Sequence, residues 1–123
     1  MQVKILRGKI HRATVTGANI DYEGSITLDS VLMAGANILP NQEVEVWDVT
    51  NGERLQTYAL TAPPHSGVVC LNGAAARRIK VGDLVIVAAY GWVHDQEAVQ
   101  YQPSIVRVDE RNRIVGSLRS MVS

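Results

Sequence analysis

The dipeptide Gly24-Ser25 puts a hydroxyl beside the least hindered carbonyl a chain can offer. Glycine permits backbone conformations closed to other residues and leaves its carbonyl open to attack. In a strained turn the Ser25 hydroxyl reaches the Gly24 carbonyl, and the product is an ester in place of the peptide bond. A Gly-Ser pair between two strands is ordinarily a plain hairpin turn, and Tyr22-Glu23-Gly24-Ser25 alone leaves both readings open. Other chemistries have less support. His11, His65 and His94 share no ligand spacing with Cys70 or with a carboxylate pair, so no metal site is expected. Ser-His-Asp catalysis lacks its Gly-x-Ser-x-Gly elbow, and no Gly-rich phosphate loop is present. Asn72-Gly73-Ala74-Ala75-Ala76 is small enough to present N–H groups to an anion, and is equally a tight turn into a helix. Cys70 lies in the apolar run Val68-Val69-Cys70-Leu71, which suits a buried, inert thiol. Lys9 and Arg12 read, by composition, as ordinary solvated cations.

The elements that must position these groups are mostly strands. Val, Ile and Thr make up 32 of the 123 residues, and β-branched side chains favour pleated sheets. Strand runs are expected at Val3 to Leu6 and Lys9 to Thr16, interrupted at Gly8, and at Ser25 to Leu28. Others are expected at Glu43 to Val46, Arg54 to Thr61, Val68 to Leu71, Asp83 to Ala89, Ser104 to Val108 and Arg113 to Val115. Trp47 breaks the alternation of its strand, which suggests burial on both faces there. Asn51-Gly52 is the strongest hairpin signal. Short helices are expected over Asp29 to Ala36, capped by Asp29 or Ser30, over Ala74 to Arg78, and over His94 to Val99. Short strands at close spacing predict an all-β barrel, with a sandwich as the alternative.

The length suits one domain. Twelve basic and twelve acidic residues cancel, which argues against a nucleic-acid binder. No apolar run reaches membrane-helix length, and the mixed first nine residues do not resemble a signal peptide. A single cysteine excludes an internal disulfide and suits a reducing, cytoplasmic setting. Phe is absent, so the core is expected to be mainly aliphatic, its bulk from Leu, Ile, Val and the two Trp, Trp47 and Trp92.

Several short stretches, taken together and in order, resemble the aspartate 1-decarboxylase family, pyruvoyl-dependent enzymes that make β-alanine for pantothenate synthesis. They are Gly8-Lys9-Ile10-His11-Arg12 with Val15-Thr16, then Tyr22-Glu23-Gly24-Ser25, then Trp47-Asp48-Val49-Thr50-Asn51-Gly52 with Arg54, then Thr57-Tyr58-Ala59. Asn72-Gly73-Ala74-Ala75-Ala76 and Val81-Gly82-Asp83 complete the set. The resemblance runs from about residue 4 to Pro103 and fades beyond it. It implies a double-psi β-barrel, a homotetramer with active sites between subunits, and L-aspartate as substrate.

The resemblance also implies roles. Ser25 would attack Gly24, and elimination and hydrolysis would leave a pyruvoyl group at the head of the 99-residue chain, residues 25–123. Residues 1–24 would remain as a 24-residue chain, and a helper protein is an open question. The pyruvoyl carbonyl would form a Schiff base with the substrate amine. Thr57 matches the oxyanion-stabilising hydroxyl, Tyr58 the proton donor, and Arg54 and Lys9 the cations that hold the two substrate carboxylates. Gly73, Ala74 and Ala75 would complete the pocket through their backbone. Tyr22 and Asn72 match supporting polar residues, and His11, Trp47 and Ile86 match further lining. The competing reading is a non-catalytic β-barrel binding or assembly module, in which Gly24-Ser25 is only a turn.

Overall fold

The computed structural model describes residues 1–118. It contains nine strands, in one mixed sheet, and three short helical segments. In chain order the strands are β1 (Gln2–Thr14), β2 (Gly17–Asn19), β3 (Ser25–Asp29), β4 (Glu43–Asp48), β5 (Arg54–Ala62), β6 (Val69–Asn72), β7 (Leu84–His94), β8 (Ser104–Val108) and β9 (Ile114–Leu118). Helix α1 spans Ser30–Gly35, a 3-10 turn spans Gly73–Arg77, and α2 spans Asp95–Ala98.

The sheet order is β2-β6-β3-β5-β4-β7-β1-β8-β9. Strand β2 at one end continues β1 near the other, through Val15 and Thr16, so the sheet closes on itself. Thr16 cements the closure: its N–H donates to the Val69 carbonyl at 2.8 Å, and its hydroxyl accepts the Val69 N–H at 2.9 Å. This is an all-β barrel, and closure removes the unpaired edges that an open sheet would expose. Ile10, Ile26, Leu28, Val44, Val46, Leu71, Val85 and Val87 fill it, with none more than 1% exposed. They are aliphatic, and neither Trp joins them: Trp47 is half-buried and Trp92 exposed.

Two buried polar side chains brace the loops. Asp29 caps α1 by accepting the Val31 N–H at 2.8 Å, and also accepts from the His65 and Gly67 N–H groups. Asn112 donates to the Thr14 and Gly67 carbonyls, both at 2.8 Å, and accepts the Thr14 N–H. Each buried acceptor thus meets a donor, without which burial would cost free energy.

Some expectations need correction. Strand β1 runs through Gly8 without a break and absorbs its irregularity as register shifts at Leu6/Gly8 and Ile10/Ala13. Strand β7 continues past Gly91 to His94, because pairing from Leu6↔Tyr90 to Gln2↔His94 overrides the local glycine. The β4–β5 connection is not a two-residue turn. It is a five-residue loop, Val49 to Glu53, closed by Asp48 N–H to the Glu53 carbonyl and Gly52 N–H to the Asp48 carbonyl, both 2.8 Å. Gly52 alone there takes a positive φ, of 81°. Strand β2 was not expected as a separate element. Trp47 is not buried on both faces: with Ile86 it lies half-buried on the outer face of the sheet.

Candidate active site

Register sorts the site residues by face. Directly opposite residues on antiparallel strands share a face. Val44 pairs with Thr57 and Val46 with Leu55, so Thr57 points to the core side of β5. Tyr58 pairs with Glu43 and Arg54 with Trp47, so Tyr58 and Arg54 point outward.

The inner group assembles around Gly24 and Ser25. Strand β3 pairs with β6, which places Ser25 opposite Asn72. Both side chains are buried, Ser25 completely. Asn72 Nδ2 donates to Ser25 Oγ at 2.8 Å and to Thr27 Oγ1 at 3.0 Å. The Ser25 hydroxyl donates to the Glu23 carbonyl at 3.3 Å. The Cys70 thiol lies 3.5 Å from Asn72 Oδ1. Burial pushes that thiol's pKa up, which favours the protonated form that can donate to Asn72 Oδ1.

Gly73 follows Asn72 with φ +69° and lies against the backbone of residues 22–24. A Cβ there would sit 2.8 Å from both Gly24 N and Gly24 Cα, and 3.0 Å from the Tyr22 carbonyl oxygen. Only glycine fits that approach. Beside it lies a cavity of about 230 Å³ lined by Gly24, Leu55, Gln56, Thr57, Asn72, Ala74, Ala75 and Arg78. Five of the predicted residues, Gly24, Thr57, Asn72, Ala74 and Ala75, therefore line one hollow, with Ser25 and Gly73 against its wall. Tyr22 supplies the carbonyl that faces Gly73, while its side chain is exposed.

The outer group is a row across four strands. Arg54 is registered with Trp47, Trp47 with Ile86, and the β1 irregularity that carries His11 comes next to Ile86. The Arg54 guanidinium stacks over the Trp47 ring at 4.6 Å. His11 Nδ1 is buried without a partner. Burial first, then the charges of Lys9, Arg107 and Arg12, pull the His11 pKa below its usual value, which favours the neutral imidazole. Lys9 is half-buried opposite Ala88. Arg54, Tyr58, Lys9, His11, Trp47 and Ile86 do not line the Gly24 cavity.

Some participants gave no signal of their own. Thr27 and Cys70 join the site only through the strand register that brings both to Asn72. Arg78 ties the two groups together: it pairs with Glu53, donates to the Arg54 carbonyl at 3.2 Å, and its own carbonyl accepts from Asn51 Nδ2. Among the described residues no three His, Cys, Asp or Glu side chains gather to hold a metal ion, and no helix is long and apolar enough to cross a membrane.

Comparison with known proteins decides the family. The family model described as "Aspartate decarboxylase" matches residues 1–115, past Pro103, where the resemblance fades. The chain belongs to the aspartate decarboxylase family. A relative from Moorella thermoacetica named aspartate 1-decarboxylase is 54% identical over 110 residues, covering 89% of this chain and 86% of its own length. One from Syntrophotalea carbinolica, of the same name, is 54% identical over 112 residues, covering 91% and 86%. Another of that name, from Listeria monocytogenes, is 51% identical over 110 residues, covering 89% and 87%. The span matched by the family model contains both the inner group and the outer row.

Proposed function

We propose that this chain cleaves itself between Gly24 and Ser25 and then decarboxylates L-aspartate to β-alanine. The observation that carries the reading is the Ser25 hydroxyl, fully buried at the edge of a small cavity and held by Asn72 directly after an exposed glycine. An ordinary hairpin turn needs none of this. The binding-module reading leaves the buried Ser25–Asn72 pair, with the half-buried Cys70 beside it, and the bare Gly73 approach without a purpose.

The inner residues suit the cleavage step. Ser25 Oγ attacks the Gly24 carbonyl carbon, and Thr57 offers a hydroxyl to the oxyanion that develops there. Asn72 holds the nucleophile in place, and Gly73 leaves the space in which residues 22–24 bend. Elimination from the resulting ester and hydrolysis convert Ser25 into a pyruvoyl group on the 99-residue chain. The fit is good, because that group is made from Ser25's own atoms, between Gly24 and Asn72, which line the cavity with Thr57, Ala74 and Ala75. Once formed, it supplies the electron sink for loss of the substrate carboxylate.

The outer residues suit substrate handling. Arg54 offers a planar fork to one carboxylate of aspartate, and Lys9 a point charge to the other. The Tyr58 phenol is the proton donor to the substrate α-carbon. Since Arg54, Lys9 and Tyr58 face away from the Gly24 cavity, the complete site forms where the outer face of one subunit meets the cavity of another. This supports a homotetramer with shared active sites. It also accounts for the exposure of Tyr58 at 37% and of Trp92 at 65% within a single chain.

Purified protein, alone and after warming with a cell extract to supply any helper, should release CO₂ and β-alanine from L-aspartate. Borohydride added with aspartate should attach substrate to the 99-residue chain and not to the 24-residue chain. Label on the short chain, or turnover unaffected by borohydride, would contradict the assignment.

A further inference from the structure

Two of the motif stretches have residues with no part in the chemistry above: Asp48 at the end of β4, and Asp83 immediately before β7. They meet. Asp48 is registered with Val85, and Val49 N–H donates to the Leu84 carbonyl at 2.7 Å. Asp48 is only 2% exposed. Its Oδ1 accepts the N–H groups of Thr50 at 2.8 Å and Asn51 at 3.0 Å. Its Oδ2 is buried with no donor from any other group. The group placed to partner it is the Asp83 carboxyl, which the pairing of Asp48 with Val85 and the Val49–Leu84 bond bring to the same corner. Asp83 in turn accepts the Lys80 N–H at 3.1 Å. Ionised carboxylates only accept, so two of them cannot bond to each other; a proton must lie between them.

We propose that Asp48 keeps this proton and donates it to Asp83, and that the resulting acid–carboxylate bond positions Arg54 for substrate. The second half rests on the reading of Arg54 as a carboxylate-binding residue. The path from pair to guanidinium is short. The loop folds around the Asp48 carboxyl, returns through the Glu53 carbonyl to the Asp48 N–H, and delivers Arg54 opposite Trp47. Leu84 N–H donates to Thr50 Oγ1 at 3.0 Å, pinning the same loop to β7. Asp48 and Asp83 are positioning residues and touch no substrate.

Burial first, and then the Asp83 carboxyl, raise the Asp48 pKa, against the pull of the Thr50 and Asn51 N–H groups. The bond from Asp48 lowers that of Asp83, and Lys80 assists. Of the charged groups nearby, Lys80, Arg78, Glu53 and Arg54, Lys80 is the one whose charge bears on the pair. The sign follows. Asp48 binds its proton more tightly folded than unfolded, so its contribution is full below the ordinary carboxylate range and fades as pH rises through its raised pKa. Asp83, held low, loses its contribution only as pH falls below that range. The clamp is therefore firmest in mild acid and weakens toward alkaline pH.

Asp48→Asn tests this in processed enzyme. The amide oxygen still accepts from Thr50 and Asn51, and the amide nitrogen donates to Asp83 without titrating. From mildly acidic to alkaline pH, the Tm of wild type should fall relative to Asp48→Asn. The ratio of wild-type to Asp48→Asn KM for L-aspartate should rise by roughly 5- to 30-fold, with kcat moving less. At mildly acidic pH, wild type should show a protonated-carboxyl infrared band that Asp48→Asn lacks. Parallel Tm curves and no such band would overturn the shared proton. A band and diverging Tm curves with a pH-independent KM ratio would overturn the positioning role. A protein that does not decarboxylate aspartate would take the positioning role down with the proposed function, while Tm and the infrared band still decide the shared proton.

Discussion

The cavity around Gly24 and the outer row around Arg54 are built on opposite principles. Beside Gly24 the polar side chains of Ser25 and Asn72 are uncharged and buried, and hydrogen bonds within the chain hold both. In the outer row the side chains are large or charged and partly exposed, and the Arg54 guanidinium rests on Trp47 with no ion pair among the described residues. A cleavage reaction on the chain's own backbone needs a geometry fixed before any ligand arrives. Recognition of a dianionic substrate needs cations that stay unneutralised until it does. One barrel serves both because alternate residues of β5, Thr57 and Tyr58, point to opposite faces.

Variants can break that division. Ser25→Ala should remain one folded, inactive chain on a denaturing gel, a complete loss. Gly73→Ala should come next: its methyl would press on Gly24 N and Cα at 2.8 Å, so the uncleaved chain should predominate. If Gly73→Ala cleaves at the wild-type rate, the close approach has no role. Tyr58→Phe should cleave normally yet turn over aspartate about 10²–10⁴-fold more slowly, as expected for a lost general acid. Normal turnover by a fully cleaved Tyr58→Phe enzyme would remove the phenol from the mechanism. Thr57→Val should slow cleavage by about 10²–10³-fold with the nucleophile intact. Arg54→Lys should show the smallest effect. It should cleave like wild type and lose roughly 10- to 150-fold in kcat/KM, the worth of about 1.5–3 kcal/mol in a charge-assisted bond. An outer-row variant that blocks cleavage, or a cavity variant that spares it, would blur the contrast.

Much of this was legible in the sequence, for identifiable reasons. The Asp29 cap, the 3-10 turn after Asn72 and the strand starting at Ser25 are local, and local chemistry predicts them. Strand β7 was read too short because Gly91 is a local signal, whereas its extension to His94 depends on pairing with the first residues of β1. The Asn51-Gly52 hairpin was right in kind and wrong in size, since the buried Asp48 carboxyl draws the loop around itself. Gly24, Ser25, Thr57, Asn72 and Gly73 could be named from motifs. That Asn72 lies opposite Ser25 depends on a β3–β6 register that no spacing encodes. Trp47 misled because its exposed face carries Arg54, a partner seven residues ahead in the chain.

The state of the Gly24–Ser25 bond tests the central claim most directly. Intact mass of the purified protein, after warming with and without cell extract, should show two chains, residues 1–24 and 25–123. The longer chain should resist stepwise N-terminal degradation, because a pyruvoyl terminus has no amine. A single 13.4 kDa chain that nonetheless decarboxylates aspartate would contradict the account.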